Sequence, residues 1–174
     1  MSFLIDKFEM WSPQEAEACL RAYAQYLDSI KNSLPASASE FAVATWHYQP
    51  DDHRCPHDSW VEYVKIWEPA SGDRKQNRQI QIDLRLFGAF HDGYLDLSYK
   101  NDGSYLVDAR PRGDPRRSAN VGQGDWLIDE IRLSESGLVL HEILFSSRGR
   151  WLIEARDISW EWKPFEVPIG SVRK

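Results

Sequence analysis

The 174-residue sequence predicts an α+β or mostly β protein of one domain, in which an N-terminal amphipathic helix packs on an antiparallel meander of about eight strands. Three observations support this fold class. There is one capped helical pattern near the N-terminus, later apolar residues alternate with polar ones, and glycine-containing turns separate the alternating runs. Such a meander forms an open or closed barrel, and a sandwich of two sheets is the alternative.

The helix begins at Ser12-Pro13-Gln14-Glu15 and is predicted over 12–32. Ser12 is a favourable N-cap, proline is tolerated in the first turn, and Glu15 is placed to complete a capping box. Pro35 ends the pattern because its ring disfavours helical geometry in the residue before it. The apolar residues that recur at helical spacing are Ala16, Cys19, Leu20, Tyr23, Leu27 and Ile30.

The clearest strand is QIQIDLRL at 79–86, where four aliphatic side chains alternate with polar ones. This alternation is typical of a strand with one buried face. Seven further runs are rich in β-branched and aromatic residues, at 41–48, 59–67, 94–99, 104–109, 126–133, 138–145 and 151–162. Short glycine-containing turns, such as those at 91–93 and 135–137, indicate that consecutive strands are antiparallel.

Composition and charge restrict the partner class and the compartment. The net charge of −6 and the pI near 5.4 argue against broad nucleic-acid binding, which needs a basic surface. No stretch reaches the roughly 20 apolar residues of a membrane span, and the first residues lack the apolar block of a signal peptide. We therefore expect a cytoplasmic location, no membrane contact, and reduced thiols at both cysteines.

The octapeptide HRCPHDSW, residues 53–60, brings His53, Cys55 and His57 close together in sequence. These side chains can ligate zinc, but in an extended run successive members lie about 6.6 Å apart, too far to meet at one ion. A tight reversal of the chain at the proline would bring them together, and a metal site is the alternative. Pro56 favours that extended geometry at Cys55. We predict a loop that leads into a strand, with no metal bound there and no cofactor elsewhere.

Several charged side chains of the later strands lie two positions from apolar residues, so the alternation of a strand places them on the same face. If the sheet closes around a cavity, they would line it and gain the shifted pKa values that acid–base chemistry uses; on a solvated face they would be ordinary surface groups. These ligand-lining candidates are Asp129, His141, Glu142, Glu154 and Arg156. The run RPRGDPRR adds a candidate anion-binding loop with Arg110, Arg112, Arg116 and Arg117.

The sequence is unusually rich in tryptophan, with eight residues. Two of them, Trp160 and Trp162, lie on one face of the last predicted strand. Exposed indoles form platforms for partners, and core packing is the alternative. The sequence contains no nucleotide-binding glycine loop, GxSxG elbow or HExxH helix, so no catalytic residue is assigned. The leading hypothesis is a non-catalytic module that binds a protein partner through an acidic, aromatic surface, in an immunity- or antitoxin-like role. The alternative is a barrel that binds or acts on a small ligand, anions included.

Overall fold

The computed structural model describes residues 2–10, 12–101, 103–108 and 122–166. Within these residues it contains two α-helices, two short 3-10 helices and ten strands. The helices are α1 (Pro13–Ile30) and α2 (Ala36–Ala42), and the 3-10 helices span Ile5–Met10 and Thr45–Tyr48. The strands are β1 (Trp60–Trp67), β2 (Ala70–Ser71), β3 (Asn77–Arg78), β4 (Ile80–Phe87), β5 (Gly93–Asn101), β6 (Tyr105–Val107), β7 (Trp126–Leu133), β8 (Val139–Phe145), β9 (Arg150–Ala155) and β10 (Asp157–Pro164).

The strands form two four-stranded antiparallel sheets and one small hairpin. Sheet I has the strand order β1-β4-β5-β10, sheet II has the order β6-β9-β8-β7, and β2 pairs with β3 beyond the end of the β1–β4 pairing. The mostly β fold with an N-terminal helix is therefore confirmed. In the described part of the chain the sheets do not close into a barrel, which agrees with the predicted sandwich alternative.

One long antiparallel ladder runs through both sheets, because β5 leads into β6 and β9 leads into β10. At the junction, the amide of Arg156 donates to the carbonyl of Lys100 at 2.7 Å. The amide of Glu154 donates to the carbonyl of Ser104 at 2.8 Å. The run predicted as one strand at 151–162 is thus two strands that bend from sheet II into sheet I. The sheets also meet where Trp60 forms a single bridge to Asp125, just before β7.

The hydrophobic core lies between the two sheets. Ile82, Leu84 and Leu86 are all buried, as the alternation of β4 predicts, and they pair across the sheet with residues of β5. Sheet II and its neighbours contribute Ile131, Ile143, Phe145, Trp151 and Ile153 to the same core. Burying each such side chain stabilises the fold by roughly 1.5–3 kcal/mol, so this interface is the main source of stability.

Helix α1 confirms the predicted N-terminal helix. The amide of Glu15 donates to Oγ of Ser12 at 3.3 Å, and the amide of Ser12 donates to the Glu15 carboxylate at 2.8 Å, which completes the capping box. Tyr23 and Leu27 are buried on its inner side. None of the described helices, of which α1 is the longest, is long and apolar enough to cross a membrane.

The predicted strand at 41–48 is wrong, because this segment completes α2 and then forms a 3-10 helix. Its aromatic composition suggested a strand, but Ala38, Phe41 and Ala42 are buried at helical spacing. Trp46 and His47 follow on the next turn and are also buried. The helical backbone therefore places more bulky side chains on the core than an alternating strand would.

Candidate partner-binding surface

Two of the ligand-lining candidates, Asp129 and His141, meet in a buried hydrogen-bonded network between the sheets. Oδ2 of Asp129 lies 2.8 Å from Nε2 of His47 and 2.9 Å from Nε2 of His141. Its Oδ1 accepts a hydrogen bond from the indole of Trp126 at 2.9 Å. The hydroxyl of Tyr99, on sheet I, lies 2.8 Å from Nδ1 of His141, so the network ties both sheets to the 3-10 helix that carries His47.

The two imidazoles of this network differ in the groups that their ring nitrogens face. Nδ1 of His47 lies 3.1 Å from the carbonyl oxygen of Phe41, and its Nε2 faces the Asp129 carboxylate, so both nitrogens face acceptors and must donate. Only a protonated ring of His47 can donate at both contacts at once. His141 contacts Asp129 through Nε2 and the hydroxyl of Tyr99 through Nδ1.

The pKa of Asp129 follows from the same contacts. Burial on its own would raise the pKa, but the charge of His47 and the hydrogen bonds from both imidazoles outweigh it and hold the pKa well below its ordinary value. Burial also keeps the pKa of the Tyr99 phenol well above its ordinary range, which suits its role as a donor. The Asp129 carboxylate is thus enclosed by donors of the protein, with three hydrogen bonds from side chains.

Glu142 lies on the opposite face of sheet II, because it pairs with Glu130 while His141 pairs with Ile131. On that face the guanidinium of Arg132 contacts the carboxylates of both Glu130 and Glu142. The distance from its Nε to Oε1 of Glu130 is 2.8 Å. The other carboxylate oxygen of Glu130 accepts hydrogen bonds from the amides of Phe3 and Leu4, at 2.9 and 2.8 Å. These charges attach the N-terminal segment to sheet II.

The remaining ligand-lining candidates lie apart from both groups. Glu154 accepts hydrogen bonds from Ser104 at 3.1 Å and from Ser136 at 2.5 Å, near the surface. Arg156 is exposed at the bend between β9 and β10. The structure therefore brings together only Asp129 and His141 of the five. The anion-binding candidates Arg110, Arg112, Arg116 and Arg117 lie outside the described residues.

The segment that contains His53, Cys55 and His57 consists of turns that precede β1, and the three side chains have separate partners. His53 stacks on Phe90, and Nδ1 of His57 lies 2.7 Å from the carbonyl oxygen of Leu127. The buried thiol of Cys55 donates to the carbonyl of His47 at 3.1 Å. Burial raises the pKa of this thiol to about 11, so it stays protonated at neutral pH.

A cavity of about 160 Å³ lies between the N-terminal helices, the turn segment and β7. Most of its wall is apolar, and its polar side chains are His47, Tyr48, Cys55, His57 and Asp129, each of which has a hydrogen-bond partner in the protein. The carboxylate of Asp129 already accepts three hydrogen bonds from side chains of the protein. The polar part of the cavity is therefore committed to internal contacts.

The two tryptophans predicted as a platform are half-buried and pack inward. Trp160 lies 4.8 Å from Trp46 between ring centroids, and Trp162 covers Gly88 and Gly93. At Gly93 a Cβ atom would lie 2.5 Å from the indole ring, so only glycine fits beneath it. Both rings therefore have a packing role in the fold.

Exposed hydrophobic side chains concentrate on β1 instead. Of the ten large hydrophobic side chains that are exposed in the described residues, five belong to this one strand. They are Trp60, Tyr63, Val64, Ile66 and Trp67, which we call the β1 surface. An exposed apolar patch of this kind is typical of an interaction site.

The β1 surface has two sides. Val64 and Ile66 pair with the buried Leu84 and Ile82, so they face the core side of sheet I, yet Ile66 is 42% exposed. Tyr63 and Trp67 share the outer side with the polar residues of β4. A partner at this strand can therefore contact apolar groups above and below the plane of the sheet.

Polar contacts hold the aromatic rings of the β1 surface in place. The indole of Trp60 donates to Asp125 at 2.8 Å, and that of Trp67 donates to Asp83 at 2.7 Å. The guanidinium of Arg85 lies between Tyr63 and Tyr94, at 5.4 and 4.8 Å from their ring centroids. Because the rings are already ordered, binding a partner costs little additional side-chain entropy.

The outer edge of β7, by contrast, is covered by side chains. The hydroxyl of Tyr23 bonds to both the amide and the carbonyl of Ile131. Tyr48 donates to the carbonyl of Asp129 at 3.0 Å, Tyr26 accepts from the amide of Leu133 at 3.0 Å, and His57 contacts Leu127. Every second residue from Leu127 to Leu133 thus has at least one main-chain group bonded to a side chain, and the side chains obstruct pairing with another strand.

The outer edge of β1 has no such cover. β1 is the terminal strand of sheet I, and after the bridge at Trp60 no described residue bonds to its free edge. A sequence signal for this site was present in WVEYVKIW, where apolar residues occur at odd and even positions and so lie on both faces of the strand. That pattern is expected of a strand buried on both faces. At the edge of a sheet it leaves apolar groups in solvent.

Comparison with protein-family models, curated proteins and solved structures gives no match for this chain. No relative therefore indicates which surface binds a partner.

Proposed function

We propose that this chain is a non-catalytic, cytoplasmic module that binds a protein partner through the β1 surface. The observation that carries the proposal is the concentration of exposed hydrophobic side chains on one strand, including Trp60 at 47% and Trp67 at 37% exposure. Tryptophan and tyrosine dominate the energetics of protein interfaces because they bury large areas with few rotatable bonds.

Charge supports a basic partner. The segment 58–68 carries Asp58, Glu62 and Glu68 against Lys65, and Asp125 holds the indole of Trp60. The chain as a whole has a net charge of −6. An acidic rim around an apolar patch steers a basic protein to the site, as an immunity- or antitoxin-like role requires.

The buried polar groups support a role without catalysis. Asp129, His47 and His141 use their hydrogen-bonding capacity on one another and on the backbone, and the Cys55 thiol is held protonated. Such groups stabilise and specify the core and present no nucleophile to a substrate.

Affinity capture from extract of the native cell tests the proposal. The wild-type chain is compared with Ile66→Ser/Trp67→Ser and with a matched control, Tyr105→Ser/Leu106→Ser. The control removes a more exposed pair from β6, at 43% and 57% exposure against 42% and 37% for Ile66 and Trp67. Thermal unfolding verifies that all three chains are folded.

We expect one partner to be retained in near-stoichiometric amount by the wild type and the control, and to be lost by the β1 variant. Retention of the partner by all three chains would exclude the β1 surface. Failure of the wild type to retain any partner at low salt would contradict an interaction module.

A further inference from the structure

We infer that the partner binds by strand addition: an extended, basic segment of it pairs with the free edge of β1 and adds a fifth strand to sheet I. This inference rests on the proposed function and specifies how the β1 surface is used. Main-chain hydrogen bonds supply affinity in this mode, and alternate side chains supply specificity.

The backbone of β1 is suited to this pairing. The strand has eight residues, and its partner β4 lies on one side only. An edge strand presents outward N–H and C=O groups that need a hydrogen-bonding partner. Tyr23 bonds to both main-chain groups of Ile131 in β7, and Tyr26, Tyr48 and His57 each contact one further group of that edge, whereas no described residue bonds to the free edge of β1 after Trp60. Among the described residues, side chains thus cover the β7 edge of sheet II and leave the β1 edge of sheet I uncovered.

The usual protections against edge pairing are weak on β1. A bulge interrupts the register between Val61 and Tyr63, but from Tyr63 to Trp67 the pairing with β4 is regular. Lys65, the single basic residue of the strand, lies 4.1 Å from the ring centroid of Trp67. A regular stretch of five residues therefore remains for an added strand.

Side chains on both faces define the segment that fits. On the core side, Val64 and Ile66 offer contacts to aliphatic residues. On the outer side, Tyr63 and Trp67 offer ring faces, and the structure already stacks the Arg85 guanidinium on Tyr63 in this region. The segment 58–68 carries three acidic side chains, Asp58, Glu62 and Glu68, and one basic side chain, Lys65, so its net charge is negative. These features select a strand that alternates aliphatic and arginine side chains.

The experiment uses a decapeptide of alternating valine and arginine as the probe. Amide hydrogen exchange of the full chain is measured with and without it, at a peptide concentration about ten times the Kd from calorimetry. Two control peptides are used. One replaces arginine with glutamate, and the other carries N-methyl groups on four consecutive central residues, which removes the main-chain donors on both edges.

We expect the basic peptide to slow exchange in β1 about tenfold and to leave β7 unchanged, while neither control peptide protects β1. Equal protection by the N-methylated peptide would overturn strand pairing. So would a dimer of the free chain that protects β1 without any peptide, because the edge would then belong to a second copy.

The failures of the two proposals are distinguishable. If capture of the cellular partner depends on Ile66 and Trp67 but neither the peptide nor that partner slows exchange in β1, the docking surface stands and strand addition is wrong. If capture is also independent of these residues, both are wrong.

Discussion

The hydroxyl oxygen of Tyr23 lies 2.5 Å from the amide nitrogen of Ile131 and 3.1 Å from its carbonyl oxygen. One phenol thus satisfies both main-chain groups of an edge residue. Burial raises the pKa of this phenol well above its ordinary range, so it remains protonated and able to donate. The contact places α1 against the edge of sheet II and closes that edge to other strands.

Removing this hydroxyl should destabilise the fold. Tyr23→Phe leaves the amide and carbonyl of Ile131 buried without their partner, which costs about 1–3 kcal/mol. The measurement is the free energy of unfolding in urea. Tyr105→Phe, on an exposed ring, is the control and should change it little. Equal effects of the two substitutions would show that the Tyr23 hydroxyl does not support the edge.

Asp129→Asn should have the largest effect of any single polar substitution considered. It removes the buried charge of Asp129 that lies 2.8 Å from Nε2 of His47, and breaking a buried ion pair costs about 3–5 kcal/mol. We expect a large fall in the urea midpoint at pH 7 with a native-like circular dichroism spectrum. A loss below about 1 kcal/mol would contradict the ion pair, because that is the range of exposed pairs.

The same pair predicts a pH dependence. The folded pKa of Asp129 is below its ordinary value of 3.8, so its contribution is fully present above that value and is lost as the pH falls towards the lower folded pKa. The difference in stability between the wild type and Asp129→Asn should therefore shrink on acidification. Urea titrations from neutral to strongly acidic pH measure it, and a constant difference would contradict the assignment.

Glu130→Gln should loosen the N-terminal segment. The carboxylate accepts the amides of Phe3 and Leu4 and contacts Arg132, so its charge strengthens both contacts. Amide hydrogen exchange at Phe3 and Leu4 should accelerate, with β8 and β9 unaffected. Glu135→Gln, in the exposed turn after β7, is the matched control. Unchanged exchange at Phe3 and Leu4 would remove this role from Glu130.

Cys55 should react with thiol reagents only when the fold opens. Its pKa of about 11 and its burial both suppress the thiolate that attacks the reagent. In Cys19→Ser, where Cys55 is the remaining thiol, modification by a disulfide reagent should proceed at the opening rate and become fast in denaturant. Rapid modification of the folded variant would show an accessible, activated cysteine.

Local patterns predicted much of the fold. The capping box at Ser12 and the alternation at Ile82 and Leu84 depend on near neighbours in sequence, and both elements form as expected. The strand prediction for 41–48 was wrong because it gave the aromatic composition more weight than the helical spacing of Ala38, Phe41 and Ala42. Composition is a weaker guide than periodicity where bulky residues pack from a short helix.

The site was harder to predict, since it depends on where a strand lies in the sheet. The sequence analysis grouped His141 with Glu142, which lie on opposite faces of sheet II, and no local pattern indicates that Asp129 would meet His47 across 82 positions of sequence. Likewise, the apolar residues of β1 indicate burial, and only the strand order shows that this strand is at an edge.

Site-specific photo-crosslinking in the native cell extract tests most directly whether β1 is where a partner binds. Benzoylphenylalanine replaces Ile66 in one chain and Leu106, on β6, in the control, and adducts are identified by mass spectrometry after irradiation. We predict one discrete protein adduct at position 66 and none at position 106. Adducts at 106 alone, or the same set of adducts at both positions, would contradict partner binding at β1.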